Sequence, residues 1–394
     1  MTDRVLQREL RSLRAPDEGD AALRAWQVTA AEFDRVEPVT TRPRRRWVVA
    51  LAAAVALAAL AISPAGATVV RWVGDRISPP GVKNARPALV SLPAPGHLLV
   101  SSPDGAWIVS SDGSKRLLGP YRDATWSPHG LFVAAVRGSN LVAVDTRGHV
   151  RWSVPRVPAP ELPSWSPRDG FRVAYLSGST LRVVAGDGTG DRLLARGVDR
   201  IKPAWRPGTA HVLSYLTSRG NVVTRNADTG RVLWRASVGG AASLGWAPTG
   251  RTLMIVAPHR LELLDGRSGS ALKLLTTGPG LRFADADISP DGRTIALVRQ
   301  EAMANRSELY LLSVRGRSWN ARRAFGGAGT FTAARWSPNG HWLLLTWREA
   351  NQWLFLRSAP ASRVVAVSRI ARAFEPDRRG PAEFPKAGGW CCTP

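Results

Sequence analysis

The stretch Trp126-Ser127-Pro128-His129-Gly130 decides how the chain is read, because it comes back. It returns as Trp165-Ser166-Pro167-Arg168-Asp169-Gly170, Trp205-Arg206-Pro207-Gly208 and Trp246-Ala247-Pro248-Thr249-Gly250. Two further copies follow, Ile288-Ser289-Pro290-Asp291-Gly292 and Trp336-Ser337-Pro338-Asn339-Gly340. Successive prolines stand 39, 40, 41, 42 and 48 residues apart. A period near forty residues, filled with short alternating strands, is the sequence form of β-propeller blades.

Each repeat reads the same way. A strand ends at the Trp, and the Pro-x-Gly turn stops it, since Pro has no ladder donor and Gly accepts positive φ. An apolar strand follows, such as 131–136, 172–176, 212–216, 252–257, 294–298 or 342–347. A polar Gly-containing turn leads to a third strand (141–144, 181–184, 261–264, 309–314), and a weaker fourth closes the unit (232–236, 271–275). Four strands in about forty residues make one blade.

Six copies give six blades. A degenerate copy without Trp, Ser102-Pro103-Asp104-Gly105, precedes them, only 25 residues before Pro128 when counted from Pro103. Residues 96–119 supply three strands for this first blade, and the tail Gly388-Gly389-Trp390-Cys391-Cys392-Thr393-Pro394 offers the missing one. Such an exchange removes the open edges of a linear array. The expected fold is therefore all-β, a propeller of about seven four-stranded blades, with six and eight as alternatives. Its expected bounds are 96–372, after a linker 71–95 and before a tail 373–394 that closes the first blade.

These Trp-Ser-Pro-x-Gly turns, each followed by an apolar strand, resemble the WD40-like repeats of the TolB-type propellers. Asp228-Thr229-Gly230-Arg231-Val232-Leu233-Trp234, and more loosely 145–152, are similar to the Asp-x-x-Gly…Trp blade end of quinoprotein-like propellers. The Gly-His and Trp-Asp pair of true WD40 repeats does not recur. The resemblance implies a fold and leaves function open, because propellers host binding modules and enzymes alike.

Charge is lopsided: 54 Lys plus Arg stand against 30 Asp plus Glu, net +24. Only five of the basic residues are Lys (Lys83, Lys115, Lys202, Lys273, Lys386). A G+C-rich genome favours Arg by itself, so the excess supports polyanion contact only weakly. Hydrophobic residues at 44% suit a chain with a large core, and exclude a mainly disordered one.

Residues 47–70 carry no charge, and at about 1.5 Å per residue they reach roughly 36 Å, enough to cross a bilayer core. Arg42, Arg44, Arg45 and Arg46 precede them, which places residues 1–46 in the cytoplasm and the propeller outside. The alternative to a retained single span is cleavage after Ala67, in Ala65-Gly66-Ala67. In the stub, Asp20 stands ahead of Leu23, Trp26, Ala30 and Phe33, an apolar helical face, so residues 1–46 read as a short helical segment with a possible cytoplasmic partner.

Catalytic signatures were sought. A serine hydrolase needs a Gly-x-Ser-x-Gly elbow on its own α/β domain, and neither is present. No metal cluster, cofactor site or catalytic residue is assigned. Of six histidines, His129, His211 and His341 fall near first-to-second strand turns. Cys391 and Cys392 bring to mind the vicinal disulfide of quinoprotein dehydrogenases, but the chain is short for those enzymes, and pairing between chains or with a partner is the competing use. Trp126, Trp165, Trp205, Trp246 and Trp336, with Pro128, Pro167, Pro207, Pro248, Pro290 and Pro338, are expected to be structural repeat positions that pack blade on blade. Trp342, Trp347 and Trp353 crowd the last blade, where an exposed aromatic patch is the minor alternative to packing.

Three functions fit this layout. The first is a non-catalytic scaffold, anchored in the cell membrane, that binds an envelope protein or an acidic polymer. The second is transmembrane signalling, because stub, single span and outer sensor look like membrane-anchored anti-sigma factors; the stub lacks the His and Cys of their zinc-binding class. The third is a hydrolase or lyase with paired acids in the central funnel. Nucleic acid is not an expected partner of a domain outside the cell.

Overall fold

The computed structural model describes residues 81–392, apart from 83, 168–170, 210, 317 and 359–362. The expected stub 1–46, the span 47–70 and Arg42, Arg44, Arg45 and Arg46 lie outside the described residues. Among the described residues no helix is long and apolar enough to cross a membrane.

Twenty-eight strands form seven four-stranded antiparallel sheets. The first three are β1 (His97–Ser102), β2 (Gly105–Val109) and β3 (Lys115–Gly119). Blade 2 is β4 (Arg122–Trp126), β5 (Phe132–Arg137), β6 (Asn140–Asp145) and β7 (Val150–Pro155). Blade 3 is β8 (Pro160–Trp165), β9 (Arg172–Ser177), β10 (Thr180–Ala185) and β11 (Arg192–Arg196). Blade 4 is β12 (Ala204–Trp205), β13 (Val212–Leu216), β14 (Asn221–Asn226) and β15 (Val232–Ser237). Blade 5 is β16 (Ser243–Trp246), β17 (Thr252–Ala257), β18 (Arg260–Asp265) and β19 (Ala271–Thr276). Blade 6 is β20 (Leu281–Ile288), β21 (Thr294–Glu301), β22 (Arg306–Ser313) and β23 (Asn320–Ala328). Blade 7 is β24 (Phe331–Trp336), β25 (Trp342–Trp347), β26 (Gln352–Arg357) and β27 (Val364–Ser368). The last strand, β28 (Lys386–Cys391), pairs with β1 and completes blade 1.

The strands follow from where each lies in a blade. Second strands are covered on both faces by neighbouring blades, so β13 (Val-Leu-Ser-Tyr-Leu) is buried at every position. Fourth strands lie at the rim, and β19 (Ala-Leu-Lys-Leu-Leu-Thr) shows only alternate partial burial. Blade 6 has the longest strands, eight or nine residues each, which accounts for the 48-residue step from Pro290 to Pro338.

First strands touch one another in a closed cycle, β28 to β4, β8, β12, β16, β20, β24 and back to β28. The core is divided the same way, into seven buried clusters, one at each blade interface. The cluster between blades 7 and 1 holds Leu98, Val100, Leu344, Trp353, Phe355 and Trp390. It also recruits Leu89, Leu92 and Ala94 from before the first strand, and Ile370 and Phe374 from the short helix Ile370–Ala373 after the last full blade. The ring is thus sealed most heavily where the two chain ends meet.

Three readings change. From residue 81 the stretch read as a linker is docked on the propeller: Val82 N donates to Gln352 Oε1, and Arg86 exchanges backbone bonds with Ala366 and Ser368. The tail 373–394, read as closing the first blade, supplies that strand as β28. Ser102-Pro103-Asp104-Gly105 joins β1 to β2, at the opposite end of the blade from the repeat turns. Ser-Pro-Asp-Gly is general hairpin chemistry, and it mimicked the repeat without its place. Finally, Trp347 and Trp353 are buried and Trp342 half-buried, so they form core and no exposed aromatic patch.

Candidate functional site

Antiparallel pairing places the first-to-second and third-to-fourth turns of every blade at the same end. Around the channel mouth the repeat turns adjoin one another. A Cβ on Gly250 would lie 2.2 Å from Pro207 O; Gly292 faces Pro248, Gly340 faces Pro290, Gly96 faces Pro338 and Gly130 faces Cys392. The repeat prolines are therefore elements of one ring of turns. In blade 1 that ring is completed by the chain's end, where Trp390-Cys391-Cys392 stands in the place of Trp-Ser-Pro. Cys391 and Cys392 are joined to each other in a disulfide.

The repeat tryptophans staple first strands together. Trp126 Nε1 donates to Gly389 O at 3.3 Å, Trp205 Nε1 to Ser164 O at 2.9 Å, and Trp336 Nε1 to Asp287 O at 3.2 Å. Each acceptor belongs to the first strand of the preceding blade. Trp165, Trp246 and Trp390 are buried in equivalent positions, and the indole N–H groups of Trp246 and Trp390 have no partner. A second set works near the rim: Trp152 Nε1 donates to Gly186 O and Trp234 Nε1 to Gly266 O. Gly188 and Gly269 leave room for these indoles, since a Cβ there would come within 2.8 Å of Trp152 and 2.5 Å of Trp234. These are the two tryptophans of the Asp-x-x-Gly…Trp segments.

Charged side chains on the first strands surround the channel, and these were missed in the sequence. On β20, Asp285 Oδ2 accepts from Ala334 N at 2.8 Å, and Asp287 Oδ2 accepts from Trp336 N at 2.9 Å. Two carboxylates at alternate positions thus brace blade 6 to blade 7. Arg335 pairs with Asp285 and donates through Nε to Gly388 O at 2.9 Å, joining blade 7 to blade 1. Asp123 Oδ2 accepts from Leu162 N at 3.3 Å, joining blade 2 to blade 3. Lys202 reaches past blade 3, and its Nζ donates to Thr125 Oγ1 of blade 2 at 3.2 Å.

Enclosure sets the protonation of these groups. Desolvation pushes Asp287 up to about 6, against the pull of Arg335 and the Trp336 N–H. Desolvation, with help from Arg335, lowers Lys202 to about 8, while Asp123 opposes the shift. Arg335 is raised: enclosure works against its charge, but Asp285 and Asp287 outweigh it. Lys202 is open to water, and the protein around it still lowers its proton affinity.

Two cavities meet at Lys202 and Ala124. The larger, about 820 Å³, opens among the repeat turns and is lined by Trp126, Pro128, His129, Pro338, Trp390 and the two cysteines. The smaller, about 480 Å³, opens at the other end beside Arg122, Asp123, Glu383 and Lys386. Of the three turn histidines, His129 lines the larger cavity, His341 is exposed in another hollow, and His211 pairs with Asp228. They do not converge, and among the described residues no three His, Cys, Asp or Glu side chains gather as a metal site.

A signal for the channel charges does exist. Counting back one and three from the repeat Trp or Ile gives Thr125 and Asp123, Lys202, Asp287 and Asp285, and Arg335. Alternation along a first strand sends the Trp between blades and these positions to the channel.

No family model matches the chain, and no curated protein matches it. Among solved structures, the β-propeller domain of Cps50 (Swd1) from Myceliophteria thermophila is 16% identical, over 66% of this chain and 94% of that one, with a TM-score of 0.53. Hsv2 from Kluyvelomyces marxianus is 10% identical, over 69% and 93%, with a TM-score of 0.50. The fold is a seven-bladed propeller with WD40-propeller neighbours, and at these identities the likeness is one of fold alone.

Proposed function

We propose that this propeller is a non-catalytic binding scaffold, held outside the cell by residues 47–70, whose turn face engages an acidic polymer or an acidic protein of the envelope. One observation carries the choice of partner. On that face the carboxylates are held by their own turns or by a neighbouring arginine, and further arginines are left exposed. Asp112 accepts from Ser114, Asp187 from Thr189, Asp265 from Arg267 N and Ser268, and Asp291 from Ser289 and Arg293 N. Arg147, Arg231, Arg251, Arg267 and Arg363 project from the same turns and are exposed. Fixed acids beside exposed cations favour an anionic partner, whose approach the net charge also favours.

The paired acids an enzyme would need are present as Asp285 and Asp287. Each spends an oxygen on a backbone N–H of β24, which suits bracing better than attack on a substrate.

The test is retention of the full-length chain on beads coated with an acidic glycopolymer, against neutral glycan beads, across a salt series. Retention that vanishes toward about 1 M salt is expected, because exposed charges are screened within a few ångströms there. Equal retention on both beads, or retention indifferent to salt, contradicts the proposal.

A further inference from the structure

We propose that the channel holds an oxyanion site built on Lys202, which receives one sulfate-, phosphate- or carboxylate-type group entering from the turn face. The scaffold role above is needed only to say what carries that group, namely the acidic partner; the anion site stands on the channel itself.

Lys202 lines both cavities, so its ammonium lies where the channel halves meet. Its one hydrogen bond goes to the neutral Thr125 hydroxyl. Among the described residues no carboxylate lies within ion-pair distance of it. The nearest opposing acid, Asp123, already accepts the Leu162 N–H, while Arg335 adds a like charge. Lys202 is open to the channel water, and a cation that the protein leaves without a counter-charge there is available to an incoming anion, which supplies what is missing. Its depressed proton affinity is the same shortage seen from the proton's side.

Local sequence puts the side chain there. Pro203 removes a ladder donor, so β12 begins only at Ala204 and is two residues long. Lys202 therefore leaves the sheet and crosses the channel. It is one of only five Lys among 54 basic residues. Trp126, Pro128, Pro338 and Trp390 wall the approach, and about 820 Å³ admits the end of a chain but no folded domain.

Sulfate is the probe, because it keeps its double charge across the pH range used. Titration of the full-length chain in neutral detergent is compared for wild type, Lys202→Met and Lys202→Arg, at about pH 6.5 and about pH 9.5. Besides Lys202, the groups facing the site are Asp123 and Thr125 on β4, Arg335 on β24, His129 on the first turn, and Arg122, Glu383 and Lys386 below. Lys202→Met is expected to weaken sulfate binding about tenfold or more. Wild type is expected to lose affinity as pH rises through about 8, and Lys202→Arg to keep it. The Tm of Lys202→Met without sulfate is expected to equal or exceed that of wild type, which separates lost binding from lost folding.

Wild-type affinity in Lys202→Met, or no saturable sulfate binding by wild type, overturns the site. A second arm uses dextran sulfate. Equal capture of wild type and Lys202→Met would place polymer binding on the arginine turns and overturn the channel site alone. Sulfate binding lost in Lys202→Met, with no polymer capture by either, would keep the site and overturn the scaffold role.

Discussion

Trp390 and Leu98 stand opposite each other in register, the last strand of the chain against the first strand of the propeller. The same register recurs in the other blades, Trp126 with Val133, Trp205 with Leu213, Trp246 with Leu253 and Trp336 with Leu343. Trp390 is thus the repeat tryptophan of blade 1, delivered from the far end of the sequence. Ring closure is made of hydrogen-bonded strand and buried indole, not of loop contact.

Deleting residues 386–394 removes β28 and exposes both the β1 edge and the largest core cluster. The shortened chain is expected to unfold non-cooperatively or aggregate. Trp390→Ala alone should cost about 3–5 kcal/mol in urea denaturation. Native-like unfolding of the deletion would show that the tail strand does not close the ring.

Trp205 and Trp246 occupy equivalent places but differ in one bond. Trp205 Nε1 donates to Ser164 O in a buried setting, while Trp246 Nε1 has no partner. Both Phe replacements lose ring volume, so the difference isolates the hydrogen bond. Trp205→Phe is expected to cost about 1 kcal/mol more than Trp246→Phe. Equal losses in paired denaturation curves would remove the stapling role.

Gly250 has φ +66° and Gly230 φ +72°, so both pay for a side chain in the left-handed region. Only Gly250 also meets backbone, at Pro207 O, in the ring of turns. Gly230→Ala should cost about 1 kcal/mol and Gly250→Ala at least about 3. Similar Tm losses for the two would mean that the turns are not packed on one another.

Asp287 carries a pH signature. Its folded value, about 6, lies above the ordinary 3.8, so the fold binds its proton more tightly than the unfolded chain does. The stability from this group is complete below pH 3.8 and is lost as pH rises toward about 6. Asp287→Asn keeps an acceptor for Trp336 N and removes the charge. It should match wild type near pH 4 and be more stable by about 1–2 kcal/mol at neutral pH, allowing for water in the channel. A variant less stable than wild type at both pH values contradicts the assignment.

The fold was legible because each blade repeats one turn whose chemistry is local: Trp to pack, Pro to stop a ladder, Gly to turn back. Strands 212–216, 252–257 and 342–347 match β13, β17 and β25 end to end. Blade 1 misled because its Trp comes from the tail, so Ser102-Pro103-Asp104-Gly105 looked like its repeat turn. The channel was harder. Lys202, Asp285, Asp287 and Arg335 are of three residue types, and only their odd offsets, one or three before the repeat Trp or Ile, reveal a shared direction. That Lys202 crosses to Thr125 depends on two blades that are not neighbours, which no local pattern encodes.

The proposed anchoring of this binding propeller outside the cell is tested most directly by its topology. Reporters Asp20→Cys and Thr249→Cys are placed singly in a chain whose Cys391 and Cys392 are changed to Ser, and intact cells are treated with a membrane-impermeant maleimide. Thr249→Cys is expected to label in intact cells, Asp20→Cys only after lysis, and both on a full-length band. Labelling of Asp20→Cys alone, or a product shortened by the 67 residues ending at Ala67, would contradict it.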